Sequence, residues 1–188
     1  LARARDRFNK VKPVYKRLEV MTNRLMLLMD DHQKYPLFTN QENDEVLFVV
    51  LSTDKGFCGG YNLRLFSFIE EARLKFKGKR IHILPFGDKA KDYYDRYENV
   101  VRLKKELIMV WEKDLFNQSR VILKELMEPY LEGRYSKVYL VYNKFESILT
   151  QQPMMKLLLP LAPKLDSEGK TREVEYIFEP NKNEIIDT

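Results

Sequence analysis

Residues 45–62 read EVLFVVLSTDKGFCGGYN, and this stretch decides the fold. The run Glu45–Thr53 is rich in β-branched and aromatic side chains, which is typical of a strand that is buried on both faces. A glycine-rich turn, Gly56–Gly60, follows the run, and Asn62 is placed to cap the helix that begins there. A buried strand that leads through a tight turn into a helix is the building unit of α/β proteins, so the sequence predicts an α/β fold.

The chain continues to alternate between strand and helix patterns after this turn. The later helices are expected to begin at two further capping residues, Asp88 and Asp114. The later strands are expected at Arg80–Pro85, Asn99–Leu103, Lys137–Phe145, Met154–Leu159 and Glu173–Phe178. A short turn separates the strand that ends at Phe145 from the next one, so these two are expected to form an antiparallel hairpin. The pattern predicts a Rossmann-like, mixed and mostly parallel sheet with helices on both faces.

An apolar seam runs along residues 1–29 at heptad spacing. Its members recur at alternate steps of three and four residues and include Phe8, Val11, Tyr15, Leu18, Leu25 and Met29. A helix of this length reaches about 45 Å, more than the ~35–40 Å diameter of the remaining body, so a projecting N-terminal coiled-coil helix is expected. Such a narrow seam needs a second helix to cover it, and packing on the body is the alternative. Pro13 predicts a kink in this helix.

The positive charge of the chain is concentrated in the same segment. Residues 1–24 carry eight Lys or Arg and two Asp or Glu, a charge of +6, whereas the whole chain carries +5. The rest of the chain is therefore close to neutral. Two interpretations stay open: a basic arm that binds an anionic partner such as nucleic acid, and the solvated face of a helix.

Composition limits the class of protein. The 188 residues are 44% apolar and 32% charged, which predicts a folded globular protein. The longest apolar run, Val46–Leu51, is far shorter than the roughly 20 residues of a membrane-spanning helix. One cysteine excludes an internal disulfide and fits a reducing compartment. Four segments are expected: a coiled-coil helix at 1–31, a linker at 32–44, a globular domain at 45–180 and the start of a second helix at 181–188.

The turn Gly56–Gly60 lies where α/β folds bind phosphates, so it is the first candidate for a site. Its sequence G-F-C-G-G-Y matches neither the dinucleotide fingerprint G-x-G-x-x-G nor the P-loop. Cys58 has only His32 and His82 as possible partners, and neither is expected within reach of the thiol. Two histidines and one cysteine also supply no zinc-binding pattern.

The residues therefore predict no catalytic residue, no metal and no cofactor in this chain. An interaction or mechanical protein is the favoured interpretation, because an unpartnered helix accompanies a body without an assembled site. The alternative is a nucleotide- or phosphate-binding α/β enzyme module that uses the turn Gly56–Gly60.

Four motifs resemble landmarks of one family and occur in the order of that family. Residues 52–62, STDKGFCGGYN, resemble the S-T-D-R-G-L-C-G-G-x-N stretch of the gamma subunit of F-type ATP synthase. The next three landmarks are similar to residues 141–145 (VYNKF), 151–160 (QQPMMKLLLP) and 176–180 (YIFEP). Lys55 replaces an arginine and Phe57 a leucine, so charge and apolarity are kept while the planar fork of arginine is lost. The resemblance covers essentially the whole chain, and its specificity lies in the four motifs together.

The resemblance implies the central rotor stalk of the synthase, truncated at both terminal helices. Such a stalk transmits torque from an ion-driven membrane ring to remote nucleotide sites and is itself no enzyme. The implied body is Rossmann-like and lacks a nucleotide site. The implied partner of the seam is a second long helix that starts near Asn183, and the two helices would wind into an antiparallel coiled coil.

The resemblance also implies partners and a location. The implied partners are the epsilon subunit, the membrane ring subunits and the catalytic alpha/beta hexamer, with no nucleic acid among them. Contact with the membrane would be indirect, through the ring, at the cytoplasmic face of a bacterial plasma membrane. The foot that contacts the ring is expected to include Tyr176, Phe178 and Glu179. The motif turn contributes Asp54, Lys55, Gly56, Cys58, Gly59, Gly60 and Asn62.

Overall fold

The computed structural model describes residues 2–29, 34–55, 60–102, 115–147 and 150–162, without the side chains of residues 2–8 and 115–118. The chain divides into two compact units, one of Leu1–Lys34 with Ala162–Thr188 and one of Tyr35–Leu161, which is called the sheet unit below. The elements in chain order are α1 (Ala2–Leu28), β1 (Glu45–Leu51), α2 (Tyr61–Lys75), β2 (Arg80–Phe86), α3 (Asp88–Tyr94), α4 (Leu115–Leu131), β3 (Lys137–Phe145) and β4 (Gln151–Leu159).

The first helix, α1, is a single α-helix that continues through Pro13. Of the predicted seam, Val11 is 62% and Leu18 57% exposed. Tyr15 is exposed as well, and Leu25 and Met29 are half-buried. Phe8 belongs to the helix, but its side chain lies outside the described part. The covering helix that the coiled coil needs stays a prediction.

The apolar face of α1 is wider than the predicted seam. Three further apolar side chains, each three residues after a seam position, are exposed: Val14, Met21 and Leu28. Two heptad lines therefore share the positions of Val11, Leu18 and Leu25. A face of this width is typical of a helix that buries a broad stripe rather than a single narrow seam.

The segment predicted as a linker, 32–44, is from Tyr35 onward part of the sheet unit. It contains a short 3₁₀ helix, Pro36–Phe38, and hydrogen bonds with distant residues hold it in place. Tyr130 donates its hydroxyl to the Thr39 carbonyl at 2.6 Å, Asn43 donates to the Gly133 carbonyl at 2.7 Å, and the Leu161 amide donates to the Leu37 carbonyl at 2.7 Å. A polar, turn-rich composition does not distinguish a free linker from a loop whose backbone is held by distant side chains.

The sheet has four strands in the order β2-β1-β3-β4. The central strand β1 is parallel to both β2 and β3, and β4 is antiparallel to β3. The mixed α/β sheet and the hairpin are therefore confirmed. β4 begins at Gln151, earlier than predicted, and includes Pro153, which an edge strand tolerates because its outward side needs no ladder donor.

Two apolar cores cover the two faces of this sheet, since successive residues of a strand point to opposite sides. On one face, Val46, Phe48 and Val50 of β1 pack with α2 and α3. On the other face, Leu47 and Val49 pack with α4. The helices flank both faces, as the sequence predicts.

Some predicted elements differ from the observed ones. The strand predicted at Asn99–Leu103 is reduced, within the described residues, to one bridge between Val100 and Ile83. The third helix begins directly after Gly87 and ends at Tyr94. Asp88 does not cap it but lies in its first turn.

The sequence prediction of Asn62 as a helix cap is wrong. α2 begins at Tyr61, one residue earlier, with Gly60 at the N-cap position and no side-chain cap. The side chain of Asn62 forms its hydrogen bonds with Thr53 instead. Within the described ranges, no helix combines the length and apolarity that a membrane crossing requires.

Candidate functional site: the carboxyl ends of the strands

The carboxyl ends of β1, β2 and β3 meet at one edge of the sheet. β2 lies on one side of β1, and β3 lies on the other side. The crevice at such a change of direction is where open α/β sheets bind their ligands. The residues at this edge are therefore the first to examine.

The turn after β1 caps α3 from outside that helix. The Asp88 amide donates to Asp54 Oδ1 at 3.2 Å, and the Lys89 amide donates to the Thr53 carbonyl at 3.1 Å. The Ala90 amide donates to Ser52 Oγ at 2.8 Å. The first amides of a helix have no partner within the helix, and three consecutive ones are satisfied here by three consecutive residues of another turn.

Ser52 also joins the ends of β1 and β2. Its amide and its hydroxyl both donate to the Phe86 carbonyl, at 2.9 and 3.0 Å. The next residue, Gly87, has a φ of +87°, and a Cβ there would lie 2.6 Å from both the carbonyl oxygen and Oγ of Ser52. Only glycine fits this backbone conformation and this close approach.

The side chain of Asn62 forms hydrogen bonds with both the amide and the hydroxyl of Thr53. The Thr53 amide donates to Asn62 Oδ1 at 3.3 Å, and Asn62 Nδ2 donates to Thr53 Oγ1 at 2.8 Å. The Thr53 hydroxyl in turn donates to the Lys55 carbonyl at 2.9 Å. The turn is thus fixed at its base by the first turn of α2.

Asn143 connects β3 to the same helix. Its Nδ2 donates to the Tyr61 carbonyl at 3.0 Å, which bridges the crevice between β1 and β3. Ser52, Thr53, Asp54, Asn62 and Asn143 are thus bonded to other groups of the chain, and these bonds hold the backbone of the strand ends in place.

The structure places the predicted motif residues in part. Asp54 and Lys55 are exposed at the turn, Gly60 precedes α2, and Asn62 clamps Thr53. Gly56, Cys58 and Gly59 lie outside the described residues. So do the predicted foot residues Tyr176, Phe178 and Glu179.

His82 lies away from this edge. Its Nε2 is 2.5 Å from Glu45 Oε2, and its ring packs against Tyr135. The other oxygen of Glu45 pairs with Arg80 at 2.7 Å, so one carboxylate at the start of β1 holds two side chains of β2. Across the ranges that the structure describes, no group of three metal-ligating side chains occurs.

A second polar cluster ties α2 to α3. Glu70 accepts hydrogen bonds from Arg73 at 2.7 Å and from the Tyr97 hydroxyl at 3.0 Å, and Tyr94 approaches it at 3.4 Å. Burial, followed by the charge of Glu70, raises the pKa of Tyr94, and burial raises that of Tyr97. The two neighbouring tyrosines of α3 differ in burial: Tyr94 is fully buried and Tyr93 is exposed.

Two cavities lie outside the strand-end edge. One of about 450 Å³ is lined by Val46, Phe76 and the polar residues 40–44. One of about 400 Å³ lies beside Glu70 and Arg73. Lys79 borders both cavities and is paired with Asp44 at 2.7 Å, which lowers the pKa of Asp44.

Sequence reasoning missed three residues of the strand-end network. Ser52 was part of the quoted motif, yet its bond to a distant helix has no local signal. Gly87 signals only the end of a strand, and its close approach to Ser52 joins residues 35 positions apart in the sequence. Asn143 is part of the quoted landmark 141–145, but its bond to the distant residue Tyr61 has no local signal.

The fold and the strand-end network define an α/β protein with a mixed sheet whose carboxyl edge is held by its own side chains. A family model described as ATP synthase matches residues 1–188. The chain belongs to that family, and the resemblance seen in the four motifs is confirmed.

Relatives that are similar to this chain are ATP synthase gamma chains. That of Moorella thermoacetica is 30% identical over 186 residues, and that of Christiangramia forsetii is 29% identical over 187 residues. Each alignment covers 99% of this chain and 64% of the relative, so the chain spans about two thirds of the length of these proteins.

A solved structure shares the fold. It is the central stalk and c-ring of the Tetrahymena thermophila mitochondrial ATP synthase, with a TM-score of 0.54 and 21% identity. The match covers 88% of this chain and 70% of the solved chain. At this identity the likeness supports the architecture of the chain.

Proposed function

We propose that this chain acts as a central-stalk (gamma) subunit of an F-type ATP synthase. It couples ion-driven rotation of a membrane ring to ATP synthesis or hydrolysis in the catalytic subunits by transmitting torque. The observation that carries the proposal is the match of the ATP synthase family model to the whole chain, residues 1–188, with gamma chains as the similar relatives.

The strand-end network supports a mechanical role for the body. The side chains of Ser52, Asp54 and Asn62 form hydrogen bonds with other groups of the sheet unit. A load-bearing body needs such internal bonds. The Rossmann-like body is in this proposal a scaffold, and the chain itself makes and breaks no bonds of ATP.

The face of α1 supports the coiled coil. Val11, Leu18 and Met21 expose about half or more of their surface. An apolar stripe of this kind is stable in water when a second helix covers it. In the proposal this helix is the one expected to start near Asn183, and the pair enters the alpha/beta hexamer.

The proposed partners follow from the family. They are the epsilon subunit, the ring subunits and the catalytic hexamer, with Tyr176, Phe178 and Glu179 in the foot on the ring. The chain would thus be peripheral to an energy-transducing membrane, at the cytoplasmic face of a bacterial plasma membrane.

Reconstitution with purified subunits tests the proposal. The chain is mixed with the epsilon subunit, with detergent-solubilised ring and with the catalytic hexamer, and co-elution is followed by size-exclusion chromatography. We expect a complex with the epsilon subunit and the ring. Absence of both complexes contradicts the proposal.

A thermal scan distinguishes the alternative enzyme module. A ligand that binds only the folded state raises the melting temperature by mass action. We expect the same melting temperature with and without millimolar ATP, NAD or inorganic phosphate. A rise with one of them, without any subunit complex, favours the nucleotide- or phosphate-binding module.

A further inference from the structure

The helix α3 depends on groups outside itself. It has seven residues, and isolated helices of this length are unstable in water because the first turn costs more conformational entropy than its hydrogen bonds return. Its N-cap residue, Gly87, has no side chain to satisfy the first amides. The partners come from the turn after β1.

These partners form a continuous set. Ser52 Oγ, the Thr53 carbonyl and Asp54 Oδ1 accept from the amides of residues 90, 89 and 88 in reverse order. The chain directions of the turn and of the helix therefore run against each other, residue by residue. Asp54 also places a carboxylate at a helix N-terminus, where negative charge is favourable.

A side chain of α2 fixes the three acceptors of the turn in position. Asn62 fixes both the amide and the hydroxyl of Thr53, the middle member of the three acceptors. Ser52 donates its amide and its hydroxyl to the Phe86 carbonyl, so the turn is also tied to the end of β2 next to α3. The bonds thus link β1, α2, β2 and α3 at one edge.

We propose that Ser52, Asp54 and Asn62 are positioning residues of a clasp, which caps α3 from the turn after β1 and locks the carboxyl ends of β1 and β2 together. This gives the S-T-D and N positions of the motif a physical role. In the coupling function proposed above, on which this step rests, the clasp keeps the edge rigid under torque.

Amide hydrogen exchange on the full chain tests the clasp independently of any partner. In Ser52→Ala, the Ala90 amide is expected to exchange about fivefold faster while the Asp88 amide changes little. In Asp54→Ala, the effect is expected at Asp88 and not at Ala90. This crossed pattern is specific, because general destabilisation would accelerate both amides in both variants.

A conservative variant and two control variants separate the loss of one hydrogen bond from general destabilisation. Asp54→Asn keeps an oxygen acceptor and is expected to restore the protection of Asp88. Ser67→Ala and Glu98→Ala remove exposed polar side chains of the same sheet unit and are expected to leave both amides unchanged. Equal acceleration in all variants, or none in Ser52→Ala, overturns the clasp.

The proposed rigidity of the clasp under torque is tested in the reconstituted synthase. Asn62→Ala is expected to lower the number of coupling ions pumped per ATP hydrolysed, with the hydrolysis rate kept, and Ser67→Ala is expected to change neither. Altered exchange with unchanged coupling overturns the load-bearing role and leaves the clasp as a cap. Failure of the wild-type chain to assemble instead contradicts the proposed function and not the clasp.

Discussion

The turn after β1 and the helix α1 differ in where their interaction partners lie. In the turn, Ser52, Asp54 and Thr53 are bonded to groups within the sheet unit. On α1, Val11 and Leu18 keep more than half of their surface in solvent. The first region is satisfied within the described chain, whereas the second presents an apolar stripe that only a further element can bury.

This difference separates stability from assembly. A change in the turn is expected to lower the free energy of unfolding of the chain itself. A change on the exposed face of α1 is expected to leave that free energy nearly unchanged and to weaken association with partners. The four predictions below test this separation, from the largest expected effect to the smallest.

Gly87→Ala is expected to destabilise the chain by about 3–4 kcal/mol, since it adds left-handed backbone strain to a collision with Ser52. Urea unfolding followed by circular dichroism measures the loss. Gly78→Ala is the control, because Gly78 also has a positive φ but no atom within 4 Å of the added Cβ. It is expected to lose about 1–2 kcal/mol from strain alone. Equal losses would contradict the close approach of Ser52.

Asn62→Ala is expected to destabilise the chain by about 2 kcal/mol, since both of its hydrogen bonds to Thr53 disappear. The same unfolding experiment measures it. Asn40→Ala, at an exposed asparagine of the sheet unit, is expected to stay within about 0.5 kcal/mol of the parent. A loss in Asn62→Ala no greater than in the control would show that the turn is held without this side chain.

Tyr130→Phe is expected to cost about 1 kcal/mol at pH 8 through the lost bond to the Thr39 carbonyl. Burial raises the pKa of Tyr130 from 10.0 to about 12. Its contribution to stability is therefore complete below pH 10 and is lost as the pH rises toward 12, because the unfolded state releases the proton first. Urea midpoints between pH 8 and pH 11.5 are expected to fall less steeply in the variant. Parallel profiles would contradict the raised pKa.

Leu18→Gln is expected to change the free energy of unfolding by no more than about 0.5 kcal/mol, since the side chain is 57% exposed. Recovery of the catalytic hexamer with the chain is expected to fall. Leu74→Gln is the matched control, because Leu74 is 76% exposed on α2. It is expected to change neither quantity. Loss of stability in Leu18→Gln would show that α1 is already covered.

Much of the fold could be predicted from local pattern. The unbroken apolar run of β1 and the short turn before β4 carry enough information for a buried central strand and a hairpin. The long helix α1 follows from heptad spacing alone. These elements depend on residues close in sequence, which is why the pattern predicts them.

The parts that escaped prediction depend on residues far apart. Asn62 is a good helix cap by residue type, but Thr53 competes for its side chain in the folded chain. The loop 35–44 is fixed by Tyr130, more than 90 residues away. The close contact of Gly87 with Ser52 exists only when two strands lie side by side. Tertiary bonds of this kind leave no periodic trace in the sequence.

The position of β1 at the centre of the sheet has a consequence for synthesis on the ribosome. The backbone at Glu45 is bonded to Ser136, 91 residues later, so one side of β1 has no partner until β3 has emerged. At ordinary translation rates this interval lasts about 5–20 seconds. During that time the most apolar strand of the chain is an open template for other strands. Newly made protein is therefore most vulnerable to aggregation before β3 appears, and chaperones are expected to bind the nascent chain at β1.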